Sequence, residues 1–98
     1  FHAHPPFTVA YSFKNEKVDF SNIPELDFFF KDIKFIPFSE PGSENLALKV
    51  ANGVTGKDRV AVMRKHGIVA FSDSMKENFM NIERLEYGMR LKMYFTFL

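Results

Sequence analysis

Thirteen of the 98 residues are phenylalanine, and three of them are consecutive at Phe28-Phe29-Phe30. A chain this short sits near the lower limit for a self-sufficient hydrophobic core, because small domains bury a smaller fraction of their surface. It would struggle to hide that many rings alone. Excess aromatic surface marks either a domain whose remainder lies elsewhere or a contact with partner subunits. The first residue is Phe1 rather than methionine, which agrees with a processed or excised piece of a longer chain. The length suits one small domain and no more.

Charge and composition remove several classes. Thirteen basic and 12 acidic residues leave a net charge of +1. That balance offers no electrostatic footprint for nucleic acid or for an anionic membrane. The absence of cysteine excludes disulfides and thiolate ligands, so any metal must be held by histidine or carboxylate. No apolar run approaches the ~20 residues of a membrane span, and nothing resembles a signal peptide. The expectation is a soluble, cytoplasmic chain.

Short strands alternate with helices along the sequence. Pro5-Pro6 suits a first helical turn, and residues 7–13 follow as a short helix, although their alternation also fits a strand. A polar turn covers residues 14–19. Ile23-Pro24 forces an extended entry to a short helix over residues 25–30. Phe35-Ile36-Pro37-Phe38 reads as a short strand whose proline marks an edge or an irregular end. Ser43 is placed to cap a helix over residues 44–52, with Leu46, Ala47 and Val50 on one side and Asn52-Gly53 and Gly56 closing it. Residues 59–63 and 68–71 read as paired strands around the tight turn Lys65-His66-Gly67, with Gly67 expected to supply the permissive backbone. Asp73 or Ser74 caps the last helix, and Ser74 with Glu77 fits a capping box. Met75, Phe79, Ile82, Met89 and Met93 follow helical spacing there, with Leu85 and Tyr87 widening the face. This order implies an α/β layered domain.

The chemistry rests on three histidines. His2 and His4 flank Ala3, and on extended backbone residues two apart point to one face. His66 sits in the hairpin turn, and a turn can lie beside a strand end of the same sheet. Three neutral imidazoles with an open position form the ligand set of a catalytic zinc site. Plainer readings compete. A terminal His-x-His can be a tag remnant or a solvent-facing pair, and a histidine before glycine is a common turn residue. Phe1, Pro5 and Pro6 do not look like tag sequence, yet spacing alone leaves metal and non-metal readings level. Arg64-Lys65 reads as a solvated hairpin tip, with anion attraction as the alternative. The Phe28–Phe30 triplet reads as core or interface. No phosphate-cradling glycine loop and no serine or cysteine nucleophile motif is present.

Four stretches, in order, resemble the class II aldolase/adducin family. His2-Ala3-His4-Pro5-Pro6-Phe7 is similar to its His-x-His-Pro-Pro-aromatic zinc motif. Ile36-Pro37-Phe38 and Pro41-Gly42-Ser43-Glu44-Asn45-Leu46-Ala47 resemble its middle strand and helix start. Residues 60–70 resemble the hairpin bearing its third histidine, and the last helix, with Glu86, resembles its closing helix. The resemblance covers essentially the whole chain. It implies a three-layer sandwich, a central mostly antiparallel sheet flanked by helices, of which residues 1–98 form the C-terminal half. It implies a zinc ion, or another divalent metal, held by His2, His4 and His66. The implied activity is an aldolase-type lyase that cleaves a ketose phosphate through a metal-stabilised enediolate. A 4-epimerase or dehydratase of the same family, or a non-catalytic adducin-like interaction module, are the alternatives. The family is expected to form homo-oligomers, here a tetramer with part of residues 28–38 at a subunit contact.

The resemblance also implies what this stretch lacks. The phosphate pocket and a glutamate base belong to the preceding half of the domain, and a tail beyond the last helix can add an aromatic. A proton-donating tyrosine of the fuculose-phosphate aldolase branch falls near Phe28, and phenylalanine cannot donate.

Overall fold

The computed structural model describes residues 1–31, 33–54 and 59–98. Among the described residues, four strands and four helices follow the order β1 (His2–Ala3), α1 (Pro6–Lys14), α2 (Pro24–Phe29), β2 (Lys34–Ile36), α3 (Glu44–Gly53), β3 (Val60–Met63), β4 (Gly67–Ala70) and α4 (Met75–Phe95). The strands form one mixed sheet in the order β1-β4-β3-β2. β3 and β4 are an antiparallel hairpin, and β1 pairs antiparallel with β4. β2 runs parallel to β3, with α3 lying between them in the chain. A parallel neighbour cannot be reached by a tight turn, so a crossover element is obligatory there.

β3 shows how the sheet partitions the core. All four of its residues are buried. Val60 and Val62 face a cluster with Ile68, Ala70, Phe20, Leu26, Phe30, Ile82, Leu85 and Met89, whereas Ala61 and Met63 face Ile36 and Leu46. This is the two-residue period of a strand buried on both faces, and it explains an almost continuous apolar run. Helices therefore cover both sides of the sheet: α1, α2 and α4 on one and α3 on the other. Each fully buried Leu or Met contributes roughly 1.5–3 kcal/mol of transfer free energy.

Local chemistry sets the ends of the helices. The Ser43 hydroxyl accepts from Leu46 N at 3.1 Å and starts α3 as expected. α3 closes without a left-handed glycine. Val54 N still bonds Val50 O at 3.2 Å and the backbone then turns extended, so Gly53 is simply its last helical residue. Gly56 lies outside the described residues. At α4, Ser74 accepts from Glu77 N, but the capping box is only half formed. The Glu77 carboxylate turns instead to Arg59 and Arg84, and Ser74 N goes to the Ser72 hydroxyl.

The inward face of α4 also differs from the apolar count. Asn78, Asn81, Ile82, Leu85, Gly88 and Met89 are buried, while Met75, Phe79 and Tyr87 are exposed. The buried amides are engaged through their oxygens: Asn78 Oδ1 accepts from Ser72 and Asn81 Oδ1 from Arg84. Gly88 is small because a neighbour is close. A Cβ there would come within 2.6 Å of Leu26 Cδ1 and 2.9 Å of the Phe20 ring. The phenylalanine triplet splits three ways, with Phe28 and Phe29 in the last turn of α2 and Phe30 just past its end. Phe30 is buried at 6% exposure, Phe29 is capped by the Arg84 guanidinium at 3.8 Å, and Phe28 is 74% exposed.

Gly88→Ala is expected to destabilise the fold. Alanine gains about 1 kcal/mol of helix propensity over glycine, but the Leu26 and Phe20 side chains that its methyl would meet are both buried in the core. Overpacking of roughly 1–3 kcal/mol outweighs that gain. A lower denaturation midpoint of the variant in urea checks it, and a raised midpoint contradicts it.

Candidate metal centre

The register of β1 on β4 brings the three histidines together. His2 pairs with Val69 and Ala3 with Ile68. One step further along the same antiparallel register, His4 lies opposite Gly67, the residue after His66. The turn between β3 and β4 spans Arg64, Lys65 and His66, with His66 N bonded to Met63 O at 3.1 Å. The ring centroids are 4.6 Å apart for His2 and His4, 4.9 Å for His2 and His66, and 5.3 Å for His4 and His66. One ring nitrogen from each lies within 4.8 Å of the others.

Hydrogen bonding fixes one tautomer. His2 Nδ1 lies 2.8 Å from the Ile68 carbonyl oxygen. A carbonyl only accepts, so Nδ1 carries the proton and Nε2 of the neutral ring keeps a bare lone pair. That Nε2 faces His4 Nε2 at 2.9 Å. His66 Nδ1 is buried without a hydrogen-bond partner among the described residues. A backbone carbonyl behind one imidazole is the outer support that metal-ligating histidines carry. A bare nitrogen in the cluster and an orphaned buried one complete a donor set that fits a borderline divalent cation such as zinc.

Gly67 makes the approach possible, though not in the way expected from the sequence. Its φ is not positive; the left-handed residue of the turn is Lys65, at φ 63°. Gly67 instead lacks a side chain because β1 passes over it. A Cβ would overlap the Ala3 carbonyl oxygen and stand 2.7 Å from His4 Cδ2 and 3.2 Å from His2 Cε1.

The turn is not a solvated tip either. Arg64 Nε donates to Ser12 O at 3.0 Å and Nη2 to Phe13 O at 3.4 Å, covering carbonyls at the C-terminal end of α1. Lys65 N donates to the Ser12 hydroxyl at 2.9 Å. At the other end of α1, the Glu86 carboxylate of α4 accepts from Phe7 N, Thr8 N and the Thr8 hydroxyl, each at 2.9 Å. Pro5, the N-cap residue, has no side-chain oxygen, so the first turn must find its acceptor elsewhere. Besides the resemblance of the last helix, that missing cap was a sequence signal for an acceptor such as Glu86; nothing local pointed to Ser12.

Residues 1–93 match the family model described as the Class II Aldolase and Adducin N-terminal domain. The chain belongs to this family. An L-fuculose phosphate aldolase of Methanococcus vannielii is 28% identical over 85 residues, which is 87% of this chain and 45% of that relative. Among solved structures, an L-fuculose 1-phosphate aldolase matches with a TM-score of 0.84 at 21% identity, over 97% of this chain and 44% of that one. The L-fuculose-1-phosphate aldolase of Thermus thermophilus matches with a TM-score of 0.78 at 24% identity, over 95% and 50%. The fold of this class II aldolase chain is thus the fold of those enzymes. It spans about half the length of the relatives it matches.

On this class II aldolase scaffold, burial pushes the His66 imidazole below its ordinary pKa, and charge on His2 and then His4 would push the same way. Folded His66 is therefore the weaker base. As pH falls below about 6.5, the unfolded chain takes up a proton that the folded one refuses, so acid favours unfolding there. In a metal-free sample, the imidazole resonances of His66 should titrate with a midpoint below that of an exposed histidine. A midpoint at or above the ordinary value contradicts this account.

Proposed function

We propose that this chain is the metal-bearing, C-terminal half of a class II aldolase domain, and that the whole protein is a zinc-dependent aldolase-type lyase acting on a ketose phosphate. The convergence of His2, His4 and His66, with one nitrogen from each within 4.8 Å of the others, carries the reading. Family membership supports it. A divalent cation held there supplies Lewis-acid polarisation of a carbonyl and its neighbouring hydroxyl, and offsets the negative charge that develops as the adjacent carbon–carbon bond breaks.

The chain's own residues prepare that site. Ile68 O holds the His2 tautomer. The His4 ring lies close against the bare backbone of Gly67. Burial favours the neutral form of His66, the form that leaves one ring nitrogen with a free lone pair. Phosphate binding and the general base are assigned to the preceding half of the domain, which also completes the three-layer sandwich with its mostly antiparallel central sheet. Phe28 cannot act as a proton donor, so that step belongs to another group. A ribulose-phosphate-type 4-epimerase or a dehydratase would use the same metal centre. An adducin-like interaction module has no need of three converging imidazoles. A cytoplasmic location is part of the proposal. No described helix is long and apolar enough to cross a membrane.

Elemental analysis of the whole protein should find about one zinc per chain, and His66→Ala should lose it together with retro-aldol turnover of ketose phosphates. A protein that takes up no divalent metal when zinc is supplied sinks the reading; zinc uptake with epimerisation in place of cleavage favours the sister activity.

The assembly is proposed as a homotetramer. Phe28 and Phe38 keep large exposed ring surfaces, 74% and 43%, in the segment assigned to a subunit contact. Light scattering of the whole protein at micromolar concentration should give four times the chain mass, and a stable monomer refutes this.

A further inference from the structure

Helix α1 joins the two separate segments that carry the histidines. Its first turn follows His4 after only Pro5, and its last turn is gripped by the hairpin turn that carries His66. Both grips come from side chains distant in sequence. Glu86 takes the Phe7 and Thr8 amides and the Thr8 hydroxyl. Ser12 takes the Lys65 amide on its hydroxyl, which itself donates to Val9 O at 2.8 Å. Thr8 and Ser12 are both fully buried.

We propose that Glu86 is a positioning residue of the metal centre: through α1 it sets where the His4 imidazole stands relative to His2 and His66. The proposal rests on the metal reading given above. The transmission is short and stiff. Pro5 and Pro6 have ring-locked φ angles, so a displacement of the Phe7 amide passes to His4 with little room for local absorption. The carboxylate is also well matched to its task. Two oxygens meet three donors at the positive end of a helix dipole, where an anion is favoured. Ser12 holds the far end of the same helix against the His66 turn, so α1 cannot simply slide when its first turn is released. Glu86 touches no histidine and has no part in any reacting group; its effect runs through the backbone.

The test compares zinc affinity, by chelator competition, with the visible spectrum of the cobalt-substituted protein, using the whole protein. Glu86→Gln keeps one acceptor oxygen but turns an amide NH2 toward the Phe7 N–H. Zinc binding should weaken roughly tenfold or more, the range seen when outer supports of metal ligands are removed, and the cobalt absorption should shift as the ligand geometry changes. Thr8→Val removes one of the three bonds and should move both readouts the same way by less; it decides the matter alone if the Gln variant does not fold. Ser74→Ala, which removes the cap of the helix that carries Glu86, serves as the control. It should lower the thermal midpoint with zinc affinity within about twofold of the parent and an unchanged cobalt spectrum. If the Glu86 and Thr8 variants behave like that control, the proposal is overturned. A parent protein that binds no zinc overturns instead the metal reading beneath it.

Discussion

The antiparallel pairing of β1 with β4 is the contact on which the candidate site depends. It is only two residues long as a strand, extended by the bond from Ala70 N to Phe1 O at 2.7 Å. Yet it performs three tasks. It sets the register that carries His4 to the end of β4, it provides the Ile68 carbonyl that holds the His2 ring, and it passes so close to Gly67 that any side chain there would meet the β1 backbone. A slip of one residue would turn both histidines to the opposite face. The convergence of the three imidazoles is thus a consequence of strand register more than of any one side chain.

So short a strand cannot hold its own position, and the surrounding helices do that work. β4 is anchored in the sheet by β3, whose residues are buried on both faces. β1 continues into α1, and α1 is tied at its start to α4 through Glu86 and at its end to the hairpin turn through Ser12 and Arg64. The polar ties lie where backbone groups at helix ends would otherwise lack partners. Satisfying those ends and locating the histidines are therefore the same set of hydrogen bonds.

Much of the local structure was legible in the residues themselves. Ser43 announced one helix start and Asp73 or Ser74 another, Pro5-Pro6 and Pro24 announced entries, and the run Arg59-Val60-Ala61-Val62-Met63 announced a strand. The histidine pair could be read as sharing one face because extended backbone has a period of two. Other features were misread for a common reason. Met75 and Phe79 looked like core by spacing, but the inward stripe of α4 runs through Asn78, Asn81, Ile82, Leu85, Gly88 and Met89, with Gly88 packed closely on Leu26 and Phe20. Gly67 looked like a turn glycine, and Arg64 like a solvated tip, because neighbours far away in sequence leave no local trace.

By itself, the sequence determined the element types, the ligand chemistry available without cysteine, and the family to which the chain belongs. These follow from short-range propensity, side-chain inventory and recurrent motifs. Only the tertiary structure decided that His66 meets His2 and His4, which tautomer His2 adopts, and that Glu86 and Ser12 stand at the two ends of α1. Those facts depend on register and on contacts between residues far apart in the chain, and register is an outcome of packing that no local pattern encodes.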